Sequence, residues 1–195
     1  MVTGAMLICF ALFVVLQNTF IAGQAQKSAQ KALNQLKSSI SLESTLPLDE
    51  SSPSQKSDSY NTYNTKEPVI MLDDTPFFGI ISIPATKIEL PLIDNFNYTY
   101  LNIAPCRYRG SIDGGDLVII AHNYASHFGQ LSSLVISDRV RITLLDGFVF
   151  DYTVVATEKL DGYDVEKLDE GNWDLTLFTC DASGSYREVI RCKKL

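Results

Sequence analysis

Residues 175–192 read LTLFTC, DASGSY, REVIRC: two short runs rich in apolar side chains, separated by six residues dominated by Asp, Ser and Gly. This is the signature of a strand, a turn and a returning strand. With residue 180 opposite residue 187 in an antiparallel hairpin, Cys180 and Arg187 share one face, Cβ atoms about 5 Å apart. Arg191 then faces residue 176, roughly 13 Å further along. The register therefore selects Arg187 over Arg191 as the partner of the cysteine. A one-residue slip would send the pair to opposite faces.

The β texture extends back to residue 69. FGIISIP at 78–84 and IELPL at 88–92 are short strands whose prolines mark strand ends or sheet edges. DLVIIAH at 116–122 is nearly continuous and apolar, as a buried strand is. Residues 139–145 alternate Val140, Ile142 and Leu144 against Arg139, Arg141 and Thr143, and Asp146-Gly147 turns them into a strand over 148–158. Only short helices fit between, around 98–103, 130–134 and 165–168. Seven or so strands at this spacing predict a closed or nearly closed β-barrel over residues 68–195.

The chain ahead of the barrel has another character. Residues 1–23 contain no charged side chain and include the apolar run AMLICFALFVVL at 5–16. About 20 residues of helix span a bilayer core, so this stretch is a membrane anchor, with a cleaved signal segment as the alternative. Residues 24–67 begin as an amphipathic stalk, with Ala29, Ala32, Leu33, Leu36 and Ile40 at helical spacing, and continue as a serine-rich flexible spacer. Lys27, Lys31 and Lys37 follow the apolar run and none precedes it. Charge bias alone would therefore place the stalk inside the cell. Acids and bases balance over residues 1–67, so the whole net charge of −7 belongs to the barrel. No basic stripe for nucleic acid is present.

Cys180 closes one apolar strand, and His122 closes another at the head of the polar loop HNYASHFG. Strand ends leading into loops are where a rigid scaffold presents reactive groups. A cysteine, a histidine and an arginine there suit a nucleophile, a proton-transfer group and an anion stabiliser. Each also has a structural reading. A strand-end cysteine is usually a small buried residue, and a strand arginine usually lies on a solvated face.

TLFTC at 176–180, with REVIR downstream and IIAHNYASHFGQL upstream, resembles the sortases, the membrane-anchored cysteine transpeptidases of Gram-positive bacteria. The family motif TLxTC is matched at every specified position, and the resemblance runs from about Phe77 to the C-terminus. APCRYRG at 104–110, the HFG after the histidine and the late RC are most similar to clostridial sortases, near class D. Ala121 stands where many members have Gly. The resemblance implies a mainly β fold: an eight-stranded barrel with short helices, preceded by a membrane anchor helix and flexible spacer. It implies Cys180 as nucleophile, His122 as general acid/base and Arg187 as oxyanion or substrate stabiliser, with Thr179 and Asn123 at the substrate. The implied reaction cleaves an LPxTG-like sorting signal of a secreted surface protein through a thioester. The protein is then transferred to an amine acceptor, a peptidoglycan precursor or a pilin lysine. The implied location is the cell membrane, single-pass, with the catalytic domain extracellular.

Two rival functions fit less well. A membrane-tethered, papain-like cysteine protease would have its cysteine before its histidine and at a helix start. A non-enzymatic adhesion barrel gives no reason for Cys, His and Arg to coincide at strand ends. No metal or cofactor is expected: His127 follows His122 by five residues without a supporting Cys or carboxylate cluster, and the acidic stretch 161–174 reads as a solvated surface. Cys106 and Cys192 are candidates for an extracellular disulfide. The loops 95–115 and 161–174, the latter with Tyr163 and Trp173, are the candidates for substrate choice.

Overall fold

Among the described residues of the computed structural model (2–43, 67–168 and 170–195), nine strands follow one long helix. Of the spacer expected over residues 38–66, residues 38–43 instead continue the helix, and residues 44–66 lie outside the described residues. The helix, α1, spans Val2–Glu43. The strands are β1 (Ile70–Leu72), β2 (Thr75–Ile83), β3 (Ile88–Ile93), β4 (Cys106–Arg109), β5 (Leu117–Ile120), β6 (Arg139–Leu144), β7 (Val149–Asp161), β8 (Leu175–Cys180) and β9 (Tyr186–Lys194). A one-turn helix, α2 (Tyr98–Leu101), and 3₁₀ turns at Leu131–Ser133 and Val165–Leu168 occupy the predicted helical positions, and a further, unpredicted 3₁₀ turn spans Pro84–Thr86.

The sheet closes on itself in the order β2, β3, β4, β5, β8, β9, β7, β6 and back to β2, an eight-stranded barrel with β1 as a short flap on β2. Two neighbouring pairs, β3–β4 and β5–β8, are parallel; the rest are antiparallel. The Asp146-Gly147 hairpin forms as expected, with Thr143 opposite Val149 and Gly147 at φ +87°. Strand β7 runs three residues further than its own periodicity suggests, because β9 pairs with it out to Asp161. Pro91 sits in β3 opposite Ile80, and β4 meets β3 only at Ile93 and Cys106, so the missing N–H costs the ladder little.

Alternation along each strand divides the buried side chains between two faces. Leu117, Ile119, Leu177, Ile190 and Cys192 fill the barrel interior, where a fully buried aliphatic side chain contributes roughly 1.5–3 kcal/mol. Val118, Phe178 and Val189 form a second cluster on the outer face of β5, β8 and β9, covered by Leu168.

Strand β4 escaped the periodicity because its alternate residues are arginines. Arg107 is largely buried, stacks 4.0 Å from the Phe78 ring centroid, and pairs with Glu67 and with Asp94 at 3.0 Å. The charges are compensated locally, so a charged four-residue strand is tolerated inside the barrel wall.

The expected stalk is the continuation of α1, and it packs on the barrel. Ala25, Ala29, Ala32, Leu33 and Leu36, all on one helical stripe, are buried. Lys31 meets Asp73 and Lys37 meets Glu89, each at 2.7 Å. Two of the three lysines that follow the apolar run are thus docking residues. Upstream, the large apolar residues of 6–21 are exposed on every side. This helix is long and apolar enough to cross a membrane.

Arg191 lies opposite Thr176, as the register predicts, and is 1% exposed. It donates to Glu158, to Thr176 Oγ1, and to the carbonyls of Lys167 and Leu168. One guanidinium thereby ties the 3₁₀ turn to the outer face of the barrel. Arg191→Ala leaves Glu158 and two carbonyls without their donor, and is expected to cost about 3–5 kcal/mol. Urea unfolding checks this; a loss under 1 kcal/mol contradicts the account.

Candidate active site

Strand β8 is paired on both sides, and both pairings converge on its last residue. Cys180 is opposite Arg187 on β9, as the hairpin register requires. On the other side Ile120 of β5 is in parallel register with Phe178, and the chain continues through Ala121 to His122. Ala121 N–H donates to the Phe178 carbonyl at 3.2 Å, and Thr179 Oγ1 returns a bond to the Ala121 carbonyl at 2.8 Å. Two residues beyond a parallel pair the faces match again, so continuing this register assigns His122, Cys180 and Arg187 to one outer face. Adjacent strands lie about 4.8 Å apart.

The cysteines differ in setting. Cys106 and Cys192 are buried and free, not joined as a disulfide, and burial pushes both thiols up to about 12. Cys180 is the partly exposed one in the barrel. The turn beyond it is organised by Asp181, whose carboxylate accepts from Ser183 and Tyr186 N–H and pairs with Lys159 at 3.1 Å. The Ser183 hydroxyl and the Lys159 ammonium hold this carboxyl well below the usual range. Asp181 N–H is engaged by the Tyr186 carbonyl. Arg187 Nη1 donates to the carbonyls of Gly184 and Tyr186, both at 3.2 Å, which fixes the guanidinium beside the turn. Gly162 passes so close that a Cβ there would lie 2.7 Å from the Ser185 carbonyl and 3.2 Å from Arg187 Nη1.

His122 is held by residues that the sequence pattern did not single out. Its Nε2 lies 3.1 Å from Asn102 Oδ1. With that oxygen accepting, Nε2 carries the proton and Nδ1 the lone pair. Asn102 is presented by α2, a single turn capped by Asn97, whose side chain accepts from Tyr100 N–H at 2.8 Å. Tyr124 stacks on the imidazole, ring centroids 4.7 Å apart. Burial holds the pKa of His122 below its ordinary 6.5. The loop folds back tightly: Phe128 N–H donates to the His122 carbonyl and Gly129 N–H to the Tyr124 carbonyl. A Cβ at Gly129 would sit 2.5 Å from the Asn123 carbonyl, which accounts for the glycine in HFG.

Thr179 and Asn123, expected at the substrate, each donate to a backbone carbonyl. Thr179 is 2% exposed, with its hydroxyl bonded to Ala121. Asn123 Nδ2 donates to the Asp181 carbonyl at 3.1 Å, linking the histidine loop to the turn after the cysteine. Among the described residues no group of three or more His, Cys, Asp or Glu converges as metal ligands would. Asp164 and Asp174 pair with Lys167 and Lys193. Trp173 Nε1 donates to the Glu170 carbonyl, whereas Tyr163 is 95% exposed.

Arg187 stands at the rim of a cleft of about 200 Å³ with Phe96, Tyr108, Ile120, Leu160 and Phe178 in its walls. Phe96, Tyr108 and Phe178 form a chain of edge-on rings, centroids 5.7 and 5.3 Å apart. Both loops named as substrate candidates contribute to this cleft. From β8 it is lined by Phe178, two residues before Cys180 and hence on the same face.

The fold is thus a closed β-barrel whose strand ends carry a partly exposed cysteine, a histidine and an arginine. The chain belongs to the sortase family, whose domain model matches residues 81–195; members are cysteine transpeptidases. Solved structures similar to it include sortase C1 from Streptococcus agalactiae, 26% identical, TM-score 0.56, covering 64% of this chain and 70% of that one. A Clostridium perfringens sortase D5 transpeptidase is 18% identical, TM-score 0.53, covering 61% and 79%. Sortase C1 of GBS pilus island 1 is 22% identical, TM-score 0.52, covering 60% of this chain and 63% of that one, so the chain spans just under two thirds of that protein. No curated protein sequence matches the chain.

His127 is a second consequence of the tight loop. It is 0% exposed, neither ring nitrogen has a protein partner among the described residues, and burial lowers its pKa to about 4. The unfolded chain takes up this proton near pH 6.5, the folded chain only near 4. Below pH 6.5 the unfolded state therefore binds more protons, and folding stability falls with pH until about 4. The stability advantage of the native protein over His127→Phe is expected to shrink by about 3 kcal/mol between pH 7 and pH 4. Urea unfolding at both values checks this; a pH-independent difference contradicts it.

Proposed function

We propose that this chain is a single-pass membrane transpeptidase whose barrel lies outside the cell and cleaves an LPxTG-like sorting signal of secreted proteins. What supports the reading most is the double pairing of β8, with His122 and Arg187 flanking Cys180 on one face. The cleft walled by Phe96, Tyr108, Leu160 and Phe178 suits the apolar Leu–Pro portion of such a peptide, with the Thr carbonyl at Cys180.

Burial keeps His122 neutral at pH 7, so it begins as a base. Nδ1 accepts the Cys180 proton while Asn102 holds the ring at Nε2. Sulfur adds to the Thr carbonyl, and the developing oxyanion is met by the Arg187 guanidinium, an interaction worth roughly 3–4 kcal/mol. The C–N bond then breaks as His122 returns its proton to the leaving amine, and a thioester to Cys180 remains. An acceptor amine adds to the thioester, gives its proton to His122, and the C–S bond breaks to restore the thiol. The acceptor is a peptidoglycan precursor amine or a pilin lysine.

The test is turnover of an LPxTG-like peptide with an added primary amine, read by mass spectrometry. The native chain yields the peptide–amine adduct, and Cys180→Ala yields none while keeping its circular dichroism spectrum. Cleavage retained by the Cys180→Ala chain, or hydrolysis alone from the native chain at saturating amine, overturns the reading.

A further inference from the structure

The membrane reading of residues 6–21 has a geometric consequence that rests on α1 being a single helix. Val2–Glu43 is unbroken, and the exposed apolar segment passes directly into the buried docking stripe. Ala25 and Ala29 are both 2% exposed. Only a few residues of helix separate the last apolar residue, Ile21, from the first barrel contact. The barrel is therefore attached to the span by a rigid element rather than hung from a tether.

The position of the docking is also informative. Gln26 and Gln30 face Ala125, Ser126 and Gln130 across a shared cleft of about 500 Å³, with Lys87 at its edge. Those three loop residues belong to the segment that begins with His122 and folds back on it through Phe128. Gln26 and Gln30 stand five and nine residues beyond Ile21, a rise of about 7–14 Å along the helix. The headgroup layer on each side of a bilayer is about 5–8 Å deep.

We infer that α1 is a strut that seats the catalytic histidine loop, residues 124–130, at the lipid headgroup surface, so that the active site works on chains presented at the bilayer. The partner surface is the headgroup layer itself. The cleft is polar and compatible with that layer: besides the glutamines it is lined by Glu89, which Lys37 neutralises at 2.7 Å, and by Lys87, which offers a cation to anionic lipid phosphates. The inference rests on residues 6–21 spanning the membrane and goes beyond the assignment of the catalytic residues.

The test uses the full chain in nanodiscs containing anionic phospholipid, with Cys9→Ala and Cys180→Ala removing the accessible native thiols and Ala125→Cys carrying a fluorophore. Nitroxide borne on the lipid headgroup is expected to quench this fluorophore at least two-fold more than nitroxide deep in the acyl chain. Seven helix-forming residues inserted between Gly23 and Gln24 lift the barrel by about 10 Å with only about 20° of rotation, and should reduce headgroup quenching two-fold or more. Weak headgroup quenching in the parent, or quenching unchanged by the insertion, overturns the strut. A chain that fails to enter nanodiscs overturns the span on which the strut depends. Neither of these outcomes bears on peptide turnover by the barrel, which is measured separately.

Discussion

Strand β8 carries the structure because it is paired in opposite senses on its two sides. Its antiparallel bond network with β9 puts Arg187 across from Cys180, and its parallel network with β5 brings His122 alongside. A strand has only two neighbours, so no other element needs to be moved to assemble the three groups. The closing bonds between Thr179 and Ala121, and between Asn123 and Asp181, lock the level of the histidine against the cysteine. A shift of either register by one residue would send a catalytic side chain into the barrel interior. The same pairing places Phe178 and Val189 beneath the reactive groups, which makes the apolar cleft and the reactive centre two ends of one face.

What was legible in the sequence follows from the range of each interaction. The β8–β9 hairpin is local: a six-residue polar turn between two apolar runs sets Cys180 against Arg187, and Arg191 against Thr176, without knowledge of the rest of the chain. The β6–β7 hairpin is legible for the same reason. The pairing of β5 with β8 joins residues 58 apart through a parallel ladder that leaves no turn to read, so the nearness of His122 came from its strand-end position and from family resemblance. Asn102 and Tyr124 were not legible, since they act on His122 only once α2 and the loop have folded. Strand β4 was hidden because Arg107 is neutralised by Glu67 and Asp94, which lie far from it in sequence. The helical stripe of α1 was visible as periodicity, but an alanine-rich stripe does not state what it packs against.

Charge is distributed unevenly along the chain. The barrel holds the entire negative charge of the chain, and within 161–174 Asp164 and Asp174 answer Lys167 and Lys193. The three candidate groups differ in setting: a partly exposed cysteine at a strand end, a histidine whose pKa burial lowers, and a partly exposed arginine anchored by turn carbonyls. Arg191 does the complementary task of fixing the wall of the cleft. Two arginines four residues apart on one face thus have unrelated settings, one bonded to turn carbonyls opposite Cys180 and one tying a 3₁₀ turn to the barrel.

The central claim is that Cys180 forms a covalent thioester with the acyl half of the substrate. Intact-mass measurement of the native chain, quenched in acid during turnover of an LPxTG-like peptide without an amine, tests it most directly. The account predicts a mass increase equal to the fragment ending in Thr, mapped to Cys180 after proteolysis and discharged by hydroxylamine. Peptide cleavage proceeding with no such adduct, or with the adduct on another residue, would contradict it.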